Sequence, residues 1–88
     1  MQFLNYYRTD GAGYVALNAD TIGSIYYYIN DEGGYDLYVD QIVGGEDVFW
    51  TYTVAKYSTV DECINAISNI MKAFENGKSY TIPYSYYV

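Results

Sequence analysis

The chain has 88 residues, 51% of them hydrophobic, so it is long enough for one buried core and too apolar for a disordered tail. Eleven acidic residues against four basic ones give a formal charge of −7, which disfavours nucleic acid and anionic lipid as direct partners and favours basic ones. The absence of histidine and a single cysteine, Cys63, exclude an internal disulfide and remove the parts of most nucleophilic and general-base schemes.

No stretch approaches the roughly twenty consecutive apolar residues that a membrane-spanning helix needs. Met1-Gln2-Phe3-Leu4-Asn5 has neither the basic region nor the apolar run of a signal peptide, so the expectation is one cytoplasmic domain over residues 1–88. Gln2 to Arg8 and Tyr14 to Asn18 read as two short strands joined by Thr9-Asp10-Gly11-Ala12-Gly13, a composition suited to a hairpin. Gly11-Ala12-Gly13-Tyr14-Val15-Ala16 matches the spacing of a dinucleotide-binding glycine loop, with Asp31 or Glu32 downstream in the place of its acidic partner. That motif must open a helix inside a βαβ unit, whereas here a further strand-like run follows, and the match is set aside.

Thr21 to Asn30, Tyr35 to Val43 and Asp47 to Tyr57 alternate strongly enough to read as a three-stranded antiparallel meander. The alternation places Ile25, Tyr27, Ile29, Leu37, Val39, Val43, Val48, Trp50, Tyr52 and Val54 inside, with Ile29 opposite Leu37 and Val39 opposite Tyr52. This register leaves Glu32-Gly33-Gly34 as a three-residue loop and Gly45-Glu46 as a type II′ turn. The other face then pairs Tyr28 with Tyr38 and Thr53, and Tyr26 with Asp40 and Thr51, with Asp36 nearby and solvent-facing.

Ser58 to about Asn76 reads as the one helix. Val60, Ile64, Ile67, Met71 and Phe74 form its apolar stripe, and Cys63 and Ile70 lie on the flanks. Thr59 with Glu62, or Ser58 with Asp61, forms a capping box, and Asn76-Gly77 closes the last turn. Cys63 reads as a small buried hydrophobe, since Asp61 and Glu62 beside it oppose a thiolate. Ser79 to Tyr87 reads as a last strand with Tyr80, Ile82, Tyr84 and Tyr86 on one face, and Pro83 confines it to a sheet edge. The expected fold is therefore α+β: a β-meander of about five to six strands with one helix packed on one face.

A single helix covers one face of such a sheet and leaves the tyrosine and carboxylate face for water or a partner. Asp10, Asp20, Asp31, Glu32, Asp36, Asp40, Glu46 and Asp47 all lie between Arg8 and Lys56, an interval without a basic residue. With fourteen tyrosines in the chain, more than a small core can hold, the pattern points to aromatic contact area beside carboxylates that pair lysine or arginine. The candidate partner-binding residues are Tyr26, Tyr28, Asp31, Glu32, Asp36, Tyr38, Asp40, Glu46 and Asp47. Asp36 and Asp40 stand roughly 13 Å apart along a strand, too far for the paired acids of a glycosidase. The acidic loop from Asn30 to Asp36 lacks the ligand spacing of a calcium loop. No catalytic residue, cofactor or metal is therefore expected.

In size, acidity and lack of catalytic residues the chain resembles the small anti-defence inhibitors made by phages, such as anti-CRISPR proteins that block a nucleic-acid-binding effector. The resemblance lies in overall character; these inhibitors share no motif, and no residue carries over. It implies a non-catalytic inhibitor, a nucleic-acid mimic that occupies a basic protein surface without binding nucleic acid or membrane. The alternative is a self-associating interaction domain with the tyrosine face as a homodimer interface.

Overall fold

Strand alternation broken by one strongly capped helix produces an α+β fold, seen in a computed structural model that describes residues 1–45 and 48–83. The elements are β1 (Phe3–Tyr7), β2 (Tyr14–Asn18), a 3-10 turn (Ala19–Thr21), β3 (Ile22–Ile29), β4 (Tyr35–Ile42), β5 (Phe49–Tyr57), α1 (Val60–Glu75) and β6 (Tyr80–Thr81). The strands form two three-stranded sheets in the orders β2-β1-β6 and β3-β4-β5, where the sequence suggests one continuous sheet. The division has a local cause. The Asn18 side chain accepts the Asp20 amide at 2.9 Å and the Thr21 hydroxyl donates to the Asn18 carbonyl at 2.8 Å, so the chain turns out of the first sheet before β3 begins.

The helix begins and ends as its sequence dictates. The Thr59 hydroxyl accepts the Glu62 amide and the Glu62 carboxylate accepts the Thr59 amide, each at 3.2 Å, which completes the capping box. At the other end Gly77, at φ 71°, lets its own amide reach the Phe74 carbonyl at 3.0 Å and the Lys78 amide reach that of Ala73 at 2.8 Å. This paired closure reverses the chain and delivers β6 parallel to β1 at a sheet edge, as expected, but the strand ends at Thr81, before Pro83, instead of running through it. The expected positions Tyr84 and Tyr86 lie outside the described residues.

One core is shared by all layers: Leu4, Tyr6 and Leu17 from the first sheet, Leu37, Val39, Val54 and Ala55 from the meander, Ala66 and Ile70 from the helix, and Ile82 after β6. Cys63 is also fully buried. The helix contributes a different stripe from the one that its large residues suggest. Cys63, Ala66 and Ile70 lie deepest, Ile67 and Phe74 pack beside them, and Ile64 and Met71 are about half exposed. At about 100° per residue the buried stripe is turned by roughly 70° from the expected one. Small side chains at Cys63 and Ala66 let the helix backbone approach the sheets, which large residues at the same seam would prevent.

Within the meander Leu37, Val39 and Val54 are buried, and Ile25, Tyr27 and Tyr52 are partly buried, as the alternation requires. Ile29, Val43, Val48 and Trp50 are exposed instead of inside, because no described element packs over the ends of the meander on which they stand. Along β4 and β5, Leu37 pairs with Ala55 but Tyr38 pairs with Thr53, so Val54 is an extra residue in a β-bulge. Val54 and Ala55 consequently both enter the core.

The helix orientation is tested by paired substitutions. Ala66→Leu is expected to lower the unfolding free energy by about 1–3 kcal/mol through overpacking. Ile64→Ser should change it by no more than about 0.5 kcal/mol, measured by urea denaturation, because Ile64 stands half in solvent. The opposite order of effects would restore the stripe centred on Ile64.

Candidate protein-binding face

The outer face of the meander is set by the loop between β3 and β4. Asn30 organises it: its amide reaches the Gly34 carbonyl at 2.9 Å, and its side-chain oxygen accepts the amides of Glu32 at 2.9 Å and Gly34 at 3.1 Å. Gly33 supplies the left-handed residue at φ 84°. The strands therefore pair Ile29 with Tyr35, and Leu37 lies opposite Tyr27 rather than Ile29. A shift of two residues preserves every face but changes every neighbour. Tyr26 faces Tyr38 in place of Asp40, and Tyr28 faces Asp36 in place of Tyr38, while the expected pairs Tyr38 with Thr53, Asp40 with Thr51 and Val39 with Tyr52 all form.

The bulge at Val54 brings Lys56 onto this face opposite Asp36. The Asp36 side chain accepts the Lys56 ammonium at 3.2 Å and the Asn30 amide at 2.9 Å on one oxygen, and the Tyr38 hydroxyl at 3.2 Å on the other. Asp36 is only 8% exposed, which corrects the expectation of a solvent-facing carboxylate. Burial by itself raises the carboxyl, but the Asn30 amide, the Lys56 ammonium and the Tyr38 hydroxyl outweigh it and hold Asp36 below the ordinary aspartate value. Its charge is spent inside the protein.

Asp40 is arranged differently. One of its oxygens accepts the Tyr26 hydroxyl at 2.9 Å and the Thr51 hydroxyl at 2.7 Å, and the residue remains partly exposed. The Tyr26 ring meets Tyr28 edge-on at 5.7 Å and Tyr38 at 5.5 Å, and Tyr28 stands 65% exposed at the border of the cluster. Burial pushes the Tyr26 phenol up, the Thr51 hydroxyl offsets part of this and Asp40 adds to it; burial and then Asp36 push up Tyr38. Both phenols are thus protonated donors at neutral pH, and they hold their carboxylates in fixed positions.

Of the expected site residues, Tyr26, Tyr28, Asp36, Tyr38 and Asp40 come together on one face. Asp31 and Glu32 are exposed in the loop that precedes β4. Glu46 and Asp47, which follow β4 in sequence, lie outside the described residues. Lys56 and Asn30 complete the Asp36 cluster without having been singled out by the sequence. A signal for Lys56 was available, since unbroken alternation with Tyr52 and Val54 would bury a lysine, and a bulge is what avoids it. Cys63 offers no chemistry here: burial, then Glu62 and Asp36, push its thiol up and keep it protonated. Among the described residues there is no group of acidic and cysteine side chains placed to hold a metal ion, and no helix is long and apolar enough to cross a membrane.

No protein-family model, no curated protein and no solved structure matches the chain.

The Asp36 cluster makes stability depend on acid. Because the native carboxyl lies below its unfolded value of about 3.9, its stabilisation is complete above that value and is lost as the pH falls through the native one. Asp36→Asn is expected to cost roughly 1–3 kcal/mol at neutral pH, since Lys56 loses its partner, and to flatten the acid limb of stability against pH. Urea denaturation from neutral pH down to about pH 3 measures both; a variant as stable as the parent, with an unchanged acid limb, contradicts the assignment.

Proposed function

We propose that this protein is a non-catalytic inhibitor that occupies a basic surface of another protein, of the kind by which nucleic-acid-binding effectors hold their ligands. The single observation that carries the reading is the Tyr26, Tyr28 and Tyr38 cluster gathered beside Asp40 on an outer face of the meander. Eight acids and no base lie between Arg8 and Lys56, and Lys56 is engaged by Asp36, so the field over that face has one sign. A carboxylate fixed by hydroxyl donors and flanked by aromatic rings is suited to an arginine or lysine, through charge-assisted hydrogen bonding and cation–π contact. In this reading the acidic loop at Asp31 and Glu32 steers the partner, and Asp40 with the tyrosines binds it.

The rival reading, a homodimer through the same face, would bring two copies of charge −7 together, with the Lys56 of each face already held by its own Asp36. The resemblance to small phage anti-defence inhibitors, including anti-CRISPR proteins, supports the choice of a nucleic-acid-binding effector as partner and a mimic-like mode of action.

The test is capture from host lysate on the immobilised protein, followed by direct measurement with the captured partner. A basic nucleic-acid-binding protein should be retained, should be displaced by added DNA or RNA, and should associate more slowly as salt rises. Asp40→Lys and Tyr28→Ser should each weaken that complex by about threefold to tenfold, with the urea midpoint of Tyr28→Ser unchanged because the side chain stands mostly in solvent. Asp36 is unsuitable for this purpose, since reversing it would set an ammonium against Lys56. Full-strength binding by both variants, or retention of acidic partners only, would refute the reading.

A further inference from the structure

Between the helix and the outermost strand of the meander, the inner face is left partly open. Ile22 and Ile25 of β3 and Ile67, Met71 and Phe74 of α1 line a groove of about 340 Å³ there. The ends of α1 fix its direction. β5 stops at Tyr57, level with Tyr35 and Ile29, and the helix starts at Val60; beyond its other end Gly77 lies beside Gln2, whose carbonyl accepts the Ala19 amide just before β3. The first turns of α1 therefore lie toward the Ile29 end of β3 and the last turns toward Ile22. At about 100° per residue Ile64 stands within roughly 20° of Met71, on the helix flank that lines the groove with β3. Ile29 alternates with Ile25 and Tyr27 and so shares their inner face. With Ile29 68% exposed, Ile64 50% and Met71 45%, an apolar border on one face of the sheet runs the length of β3.

The strand beside the groove is an unprotected edge. β3 pairs with β4 on one side and, among the described residues, with no strand on the other, so every second residue from Ser24 to Ile29 turns its amide and carbonyl outward. Edge strands are normally blunted by charge, proline or a bulge. β3 has no charged residue and no proline, and its one register shift lies at the Ile22 end. We propose that this edge receives an extended segment of the partner as an added strand, with apolar side chains turned to the groove and alternating lysine or arginine side chains turned to the outer face. The inference rests on the reading that the outer face binds a basic protein, and it names the form in which that protein is held. A strand is what the free backbone groups accept, and charge selects its side chains. Tyr26 and Tyr28 are outer-face residues of β3, within reach of cations on a neighbouring strand. Exposed acids stand at both ends, Asp20 before β3 and Asp31 and Glu32 after it. A second copy paired about Tyr26 would set Asp20 of each against Glu32 of the other, whereas a cation-bearing strand is complementary at both ends.

The probe is a blocked octapeptide of alternating valine and lysine. Its controls are the same peptide N-methylated at every internal amide, an oligolysine of equal charge, and an uncharged octapeptide of alternating valine and threonine. The valine–lysine peptide should bind at least about tenfold more tightly than its N-methylated form and than oligolysine, and should slow hydrogen exchange at alternate amides between Ser24 and Ile29. Ile64→Ser, and independently Met71→Ser, should weaken it by about threefold to tenfold while leaving oligolysine affinity unchanged. Both side chains are about half exposed, so both variants keep the fold. Absence of binding, or equal binding of the parent and N-methylated peptides with β3 exchange unmoved, would overturn the added strand and leave the outer-face reading standing. Equal binding of the charged and uncharged alternating peptides, with no binding of oligolysine, would overturn both. Protection of the β3 amides that grows with protein concentration alone, together with a dimer in sedimentation, would overturn the proposal in favour of a second copy.

Discussion

The extra residue at Val54 is the constraint on which the rest of the structure depends. It lets two successive apolar side chains, Val54 and Ala55, enter the core, and it turns Lys56 to the outer face against Asp36. An unbroken strand would do the reverse and place the lysine in an apolar interior, at a cost that only deprotonation or a buried partner could offset. The bulge therefore settles core composition and surface charge together. With Lys56 on the outer face, Asp36 becomes an internal structural group held by Asn30, Tyr38 and Lys56, and Asp40 is left as the carboxylate that the face presents.

This division gives the tyrosines two uses. Tyr6, Tyr27 and Tyr52 place their rings in or against the core, where aromatic side chains supply much of the buried area of a small domain. Tyr26, Tyr28 and Tyr38 form a ring cluster on the opposite face, and the hydroxyls of Tyr26 and Tyr38 fix two carboxylates. That face runs without a break into the apolar pair Ile42 and Phe49. Aromatic, acidic and apolar surface thus occur in sequence along β4, and the proposed contact with a basic protein rests on that arrangement.

Much of this was legible in the chain. The capping box at Thr59 and Glu62, the closure at Gly77, the strands and both faces of the meander follow from local chemistry and period, which act over a few residues. Other features were not, each for a different reason. The strand pairing of β3 with β4 turned on hydrogen bonds accepted by one side chain, Asn30, which moved the three-residue loop from 32–34 to 31–33 with the same face parity. The helix stripe was misplaced because large residues dominate a hydrophobic pattern, whereas close packing selected the small ones, Cys63 and Ala66. Trp50, Val43 and Val48 alternate as core residues should, but the extent of the covering layer is a tertiary fact that no strand period contains. At the site, face membership was readable for Tyr26, Tyr28, Tyr38 and Asp40. The burial of Asp36 was not, because it depends on Lys56 and hence on the bulge.

The bulge is open to direct measurement by nuclear Overhauser contacts between backbone protons of β4 and β5 in solution. The structure requires cross-strand contacts of Tyr38 with Thr53 and of Asp36 with Lys56, with Val54 left between the two registers. A continuous ladder that pairs Asp36 with Ala55 would contradict it, would return Lys56 to the inner face, and would leave Asp36 as a free carboxylate on the surface.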